Sequence, residues 1–263
     1  MEKKLKSWQG WLLFGGTMVV VFVLGMIAAS VNERHAEVTS VMNNKKTEIT
    51  GIEARNDKFE SNYPREYQTW EATADTSFKS LYNGNQAVDV LEARPEMVIL
   101  WAGYAFSKDY SPPRGHMHAI EDMRNTLRVG APMTENEGPQ PATCWTCKSP
   151  DVPRMMQAMG VDNFYKGKWA SLGKEIMNPI GCADCHEPEN MNLHISRPAL
   201  IEAFQRQGKD ITKATQQEMR SLVCAQCHVE YYFKGDGKYL TFPWDKGSTA
   251  VSYTHLRAHE TKA

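Results

Sequence analysis

The six cysteines of this 263-residue chain fall into three Cys-x-x-Cys pairs, Cys144–Cys147, Cys182–Cys185 and Cys224–Cys227, all within 84 residues. His186 follows the second pair and His228 the third, which makes two C-x-x-C-H signatures of covalent haem c attachment. The spacing has a chemical reason. Two thiols three residues apart on one helical turn can both bond to the vinyl groups of one haem, and the next residue then lies under the iron as its proximal ligand. Lys148 stands in that position after the first pair. One haem therefore differs from the others, which points to an open catalytic face. The rival readings of Cys-x-x-Cys are a zinc site, a redox dithiol or structural disulfides. A four-ligand zinc site would use two pairs and strand the third.

The N-terminus sets the compartment. Lys3, Lys4 and Lys6 precede Trp11–Val31, 21 residues without a charge. That run is long enough to cross a hydrocarbon core of about 30 Å at about 1.5 Å per residue. The lysines favour the cytoplasmic side, and Trp8 and Trp11 suit the interface. Residues 1–31 are thus expected to be a membrane anchor or, alternatively, a signal segment cleaved near Ala28-Ala29-Ser30. Either places the rest on the periplasmic side, anchored or secreted. A net charge of −1 with no basic stripe excludes nucleic acid as an expected partner.

The organisation expected downstream is a polar linker over 32–62, a catalytic domain over 63–251 and a non-native tail over 252–263. The tail reads as a translated adaptor scar, so His255 and His259 are set aside. Helices are expected over Pro64–Tyr82 (with Trp70, Phe78 and Leu81 buried), His116–Val129 and Asp210–His228. Met97–Trp101 is ambiguous between helix and strand. Thr215-Gln-Gln-Glu218 matches a capping box, no β-hairpin signature stands out, and Tyr239–Phe242 is a short strand or extended loop. The fold class is mainly α, a multihaem cytochrome with long loops and a core of stacked haems.

The residues around the first pair resemble a known family. Cys144-Trp-Thr-Cys-Lys148 is similar to the active-site motif of the ammonia-forming cytochrome c nitrite reductases, the pentahaem cytochrome c552 family. The resemblance continues through Trp101-Ala-Gly-Tyr104, Pro113-Arg-Gly-His116, Asn125-Thr-Leu-Arg-Val-Gly-Ala-Pro132, Cys182-Ala-Asp-Cys-His186 and Cys224-Ala-Gln-Cys-His-Val-Glu-Tyr-Tyr-Phe233. It covers roughly residues 60–250. It implies the six-electron reduction of nitrite to ammonia at a lysine-ligated haem, with electrons relayed through neighbouring bis-histidine haems. The family carries five haems; this chain has three attachment sites, so it reads as an N-terminal fragment.

By the same resemblance, Lys148 is the proximal ligand of the catalytic haem. A lysine must be neutral to donate to iron, a state that a metal favours. Arg128 is the distal-pocket arginine that attracts the nitrite anion, and Tyr231 is a pocket phenol able to hydrogen-bond or protonate bound species. His186 and His228 are proximal ligands, and His116 is the distal partner of the haem at Cys224–Cys227. Glu230, with the Tyr231 carbonyl, matches a calcium site. His118 points elsewhere, and His194 has no family counterpart. The implied partners are nitrite, a membrane quinol-oxidising multihaem cytochrome as electron donor, and a second copy in a homodimer of the full-length protein. Two other classes stay open: a purely electron-transferring multihaem cytochrome, and a related hydroxylamine- or tetrathionate-converting enzyme.

Overall fold

The computed structural model describes residues 7–43, 47–79, 81, 84–129 and 140–247. The chain divides into two units, Met1–Thr47 and Glu48–Ala263. The proposed tail and much of the proline-rich stretch 131–143 lie outside the described residues.

In the first unit, helix α1 (Ser7–Asn43) is apolar on every side over its first part. Ser7–Thr39 is long enough to cross a membrane, and its apolar 18-residue stretch has a mean hydropathy of 2.4. The expected span was the charge-free run Trp11–Val31. The helix continues into Glu33, Arg34 and Glu37, because neither a proline nor a glycine interrupts it there.

The second unit is mainly helical: α2 (Asp57–Glu60), α3 (Pro64–Glu71), α4 (Val90–Ala93), α5 (Glu96–Leu100), α6 (Ala119–Asn125), α7 (Asp151–Met159), α8 (Val161–Lys166), α9 (Trp169–Leu172), α10 (Cys182–Cys185), α11 (Pro198–Arg206) and α12 (Gln216–Ala225). Strands β1 (Tyr232–Lys234) and β2 (Tyr239–Thr241) form an antiparallel hairpin. Its core is built where apolar faces of the short helices meet. On α7, Val152, Met155 and Met156 are buried on one face at helical spacing. Gly160, at φ 87°, ends that helix in a conformation costly for other residues. Pro198 opens α11 at a position where its missing N–H costs nothing, and Ala199, Leu200 and Ala203 turn inward. Trp145 and Trp169 stack with centroids 5.5 Å apart, and the Trp145 indole donates to the Trp169 carbonyl at 2.9 Å.

Several expectations need correction. The compact unit begins at Glu48 rather than at residue 63. Phe59 is fully buried, and Asn56 and Asn62 nearly so, so the latter half of 32–62 is folded rather than linker. The helix from Pro64 stops at Glu71 and tightens to a 3-10 turn over Ala72–Ala74. Asp75 then accepts the Ser77 N–H at 2.8 Å, a side-chain turn that competes with further helix. Phe78 and Leu81 are accordingly exposed, and Tyr82 lies outside the described residues. The region 116–129 breaks at Thr126, where Asp109 draws in both the Thr126 hydroxyl (2.7 Å) and the Leu127 N–H (3.0 Å). The segment 210–228 is a 3-10 turn followed by α12, because the capping box starts the helix at Thr215: its hydroxyl accepts the Glu218 N–H, and the Glu218 carboxylate accepts the Thr215 N–H at 2.8 Å. The hairpin that no sequence signature announced turns through Gly235-Asp-Gly-Lys238, and the Lys238 carbonyl accepts the Thr143 hydroxyl at 2.6 Å. That bond ties the hairpin to the first cysteine motif.

Candidate active site

Each Cys-x-x-Cys pair sits on a tight turn. In the second and third motifs the residue after the pair closes a full helical turn, with His186 N–H donating to the Cys182 carbonyl and His228 N–H to Cys224, both at 2.8 Å. In the first motif the turn is 3-10: Lys148 N–H reaches the Trp145 carbonyl at 2.9 Å. The lysine motif therefore differs from the other two in backbone as well as in ligand.

Polar anchors hold the motifs. Buried Asp151 accepts from the Met177 and Asn178 N–H groups at 2.8 and 2.9 Å, and Ser149 donates to the Asn178 carbonyl. The loop before the second motif is held from the Glu48–Ala74 region. The Asn56 side chain accepts the Cys182 N–H at 3.0 Å and donates to the Pro179 carbonyl, while the Trp70 indole donates to the Ile180 carbonyl at 2.7 Å. Gly181 packs so closely on Asn56 that a Cβ has no room.

A cavity of about 940 Å³ opens beside the first motif, lined by Cys144, Lys148, Arg128, Glu230 and Tyr231. These residues come from stretches up to about 100 positions apart, and the fold brings them together. Arg128 is aimed by its neighbours: its Nε donates to the Thr126 hydroxyl at 3.3 Å, and its guanidinium lies 5.3 Å from the centroid of Phe106. Thr126 in turn is fixed by Asp109. Tyr231 opens onto the cavity, and burial pushes its phenol up to about 12. Burial likewise pushes the Cys144 thiol up to about 12. On the cavity rim, Glu230 accepts the Tyr232 hydroxyl at 2.7 Å. Among the described residues, no three His, Cys, Asp or Glu side chains gather as ligands of a metal ion.

His116 and His228 face each other with ring centroids 6.2 Å apart and 36° between planes. Two imidazoles bound on opposite sides of one metal, at about 2 Å per metal–nitrogen bond, would have centroids about 6 Å apart, so the pair fits an iron between them. Burial, then the neighbouring His228, lowers the His116 pKa, which favours the neutral ligand form. The His186 Nδ1 is held by the Met191 carbonyl at 2.8 Å, which leaves its other nitrogen for a metal. His118 is engaged elsewhere, by Ala74 and Glu121. His194 lies behind the second motif, its backbone N–H on the Cys185 carbonyl and its Nδ1 buried without a hydrogen-bond partner. Phe106, Thr126 and Asp109 escaped the sequence reading. They lie in or beside stretches that carry the family resemblance, but no role was read for them, and only the fold reveals that they aim Arg128.

A family model for cytochrome c552 matches residues 55–259. The chain belongs to the cytochrome c552 family. The cytochrome c-552 of Parabacteroides distasonis is 99% identical over 249 residues, which cover 95% of this chain and 50% of that protein. The cytochrome c-552 of Aliarcobacter butzleri is 47% identical over 246 residues, or 90% of this chain and 48% of that one. The solved cytochrome c nitrite reductase of Desulfovibrio desulfuricans, a catalytic subunit with two calcium sites, superposes with a TM-score of 0.68 at 31% identity, covering 80% of this chain and 48% of its own. The chain spans about half the length of the curated relatives it matches. The fold is thus the mainly helical multihaem cytochrome fold. Haem c is the cofactor of this family, and the three turned cysteine pairs and the facing His116 and His228 fit it.

Proposed function

We propose that this chain forms part of a nitrite reductase that makes ammonia, and that the cavity beside Lys148 is its catalytic face. One observation carries the reading: Arg128, Lys148 and Tyr231, distant in sequence, line one cavity with Cys144. Haem c attached at Cys144–Cys147, Cys182–Cys185 and Cys224–Cys227 supplies iron for binding nitrite and for relaying electrons. The chain's own residues then have separable tasks. Lys148 would hold the catalytic haem iron through its amine, while His186, His228 and His116 would hold the relay haems.

Arg128 would hold the anion in the cavity by a charge-assisted hydrogen bond. Its stacking on Phe106 and its bond to Thr126 fix its direction before the anion arrives, so little ordering cost falls on binding. Tyr231 keeps its proton at neutral pH, being pushed up to about 12. It can therefore donate a hydrogen bond to an oxygen that develops charge. Six electrons and several protons are needed to take nitrite nitrogen from +3 to −3, which is the reason for several relays around one open position.

Calcium at Glu230 and the Tyr231 carbonyl belongs to the same proposal, supported by the two calcium sites of the Desulfovibrio enzyme. So do a periplasmic location, a membrane quinol-oxidising cytochrome as donor, and a homodimer of the full-length protein.

Replacing Arg128 with Ala tests the site. Loss of one charge-assisted hydrogen bond, about 1.5–3 kcal/mol, weakens nitrite capture roughly 10- to 150-fold, read as KM or as a nitrite titration of the haem spectrum. Unchanged capture with intact haem content removes the cavity from the reaction.

A further inference from the structure

The residue just before the second cysteine is polar in all three motifs: Thr146, Asp184 and Gln226. In the fold these three equivalent positions converge on one dipeptide, Ser196-Arg197. The Arg197 side chain is 1% exposed. Its Nε donates to the Thr146 carbonyl at 2.6 Å, and one terminal nitrogen donates to the Asp184 carboxylate at 2.5 Å and the Ser149 carbonyl at 2.9 Å. Its own backbone N–H and that of Ser196 both donate to the Gln226 side-chain oxygen at 3.1 Å. The Gln226 amide and the Ser196 hydroxyl both donate to the Asp184 carbonyl. The other Asp184 carboxylate oxygen accepts the Gly181 N–H at 2.8 Å. The motifs also meet directly, because the Cys147 thiol reaches the Gln226 carbonyl at 4.0 Å.

We propose that Arg197 is a positioning residue that locks the three haem-attachment motifs into one frame, and so sets the orientation and spacing of the haems they carry. This rests on the haem reading above. A buried ion pair alone is weak evidence for stability, since a well-packed apolar substitute is often as stable. A planar fork is different: it can bind two carbonyls and a carboxylate in fixed directions at once, which an ammonium cannot. The bonds made by Ser196-Arg197 reach residues 12 to 51 positions away. The ties to Thr146, Asp184 and Gln226 each lie one residue from a haem-attaching cysteine, where a small rotation of the turn would be carried directly to the attached ring.

The test uses the chain matured in a host with a haem c assembly system, comparing wild type with Arg197→Lys. The lysine keeps a positive charge against Asp184 but cannot reach Thr146 and Ser149 together. Intact mass should show three covalent haems in both proteins. In the variant, the magnetic interaction between haems in electron paramagnetic resonance should change, and the midpoint potentials of the first two haems should move. A wild type without haem defeats the haem reading itself. A three-haem variant with wild-type spectra and potentials overturns the positioning role alone. If Arg197→Lys fails to accumulate, Ser196→Ala decides. It removes the hydroxyl bonds to Asp184 and Gln226 and one acceptor of the Arg197 guanidinium, but keeps that guanidinium paired with Asp184; altered coupling between the second and third haems supports the proposal, and unchanged coupling and potentials overturn it.

Discussion

The cavity has two unlike walls. The wall from residues 140–247 is backed by tight packing: Trp145, Val152, Phe164, Tyr165, Trp169, Ala199, Leu200 and Ala203 are all fully buried behind it. Residues 84–129 form a loose one, in which only Ile120, Met123, Thr126 and Val129 are buried. There Ile99 is 81% exposed, Leu100 69% and Tyr104 66%. The tight wall carries the cysteines and the ligands that follow them. The loose wall carries Arg128 and Phe106, which face what enters. Groups that bond covalently to the chain sit where packing is dense. Arg128, which meets a transient anion, sits on a segment held by a few polar contacts, such as Asp109 to Thr126 and Leu127, while Tyr231 reaches the cavity from the other wall. Low-stability segments are where binding loops are drawn from.

Substitutions can break this contrast. The largest effect is expected at Trp169, where truncation to Ala removes a fully buried ring from its stack on Trp145. A loss of about 3–5 kcal/mol in urea unfolding is expected; a loss below 1 kcal/mol would show the tight wall to be plastic. Thr215→Ala removes the α12 cap and should cost about 1 kcal/mol, with the unfolding slope unchanged.

His194 sharpens the comparison through pH. Burial, with Glu187 opposing it, lowers its pKa, so the unfolded chain binds a proton more readily than the folded one. Stability is then expected to fall as pH drops below about 6.5, the free-histidine value, and to level off below the folded pKa. His194→Gln should flatten that part of the profile, measured as unfolding midpoints between pH 7.5 and 5. An identical slope would place the acid sensitivity elsewhere. The smallest effect is expected on the loose wall: Ile99→Ser should stay within about 0.5 kcal/mol. A loss comparable to that of Trp169→Ala would abolish the distinction between the walls.

The sequence displayed some of this and hid the rest for physical reasons. The motifs were legible because covalent chemistry fixes their spacing. The meeting of Arg128, Lys148 and Tyr231 was legible only through family resemblance, since nothing local announces a contact across 80 or more residues. The Thr215–Glu218 box was visible, yet the helix was drawn from Asp210, because apolar periodicity outweighed a four-residue signal. Phe78 and Leu81 looked like core by type, but the Asp75 turn had already ended their helix. The Arg197 ties were present as Thr146, Asp184 and Gln226 in equivalent places. A single arginine between the second and third motifs gave no reason to connect them.

The contact between Cys147 and Cys227 bears on the order of assembly. The two sulfurs meet where the first and third motifs join: Cys147, and then burial, raise the Cys227 pKa, while the same contact lowers that of Cys147. An attaching enzyme must reach each sulfur from outside, with a bulky planar substrate in hand. Such access exists while the segments around residues 147 and 227 are still apart, and closes once they pack. For this chain, maturation is therefore expected to be a race between ligation and collapse, in which a premature fold is a dead end.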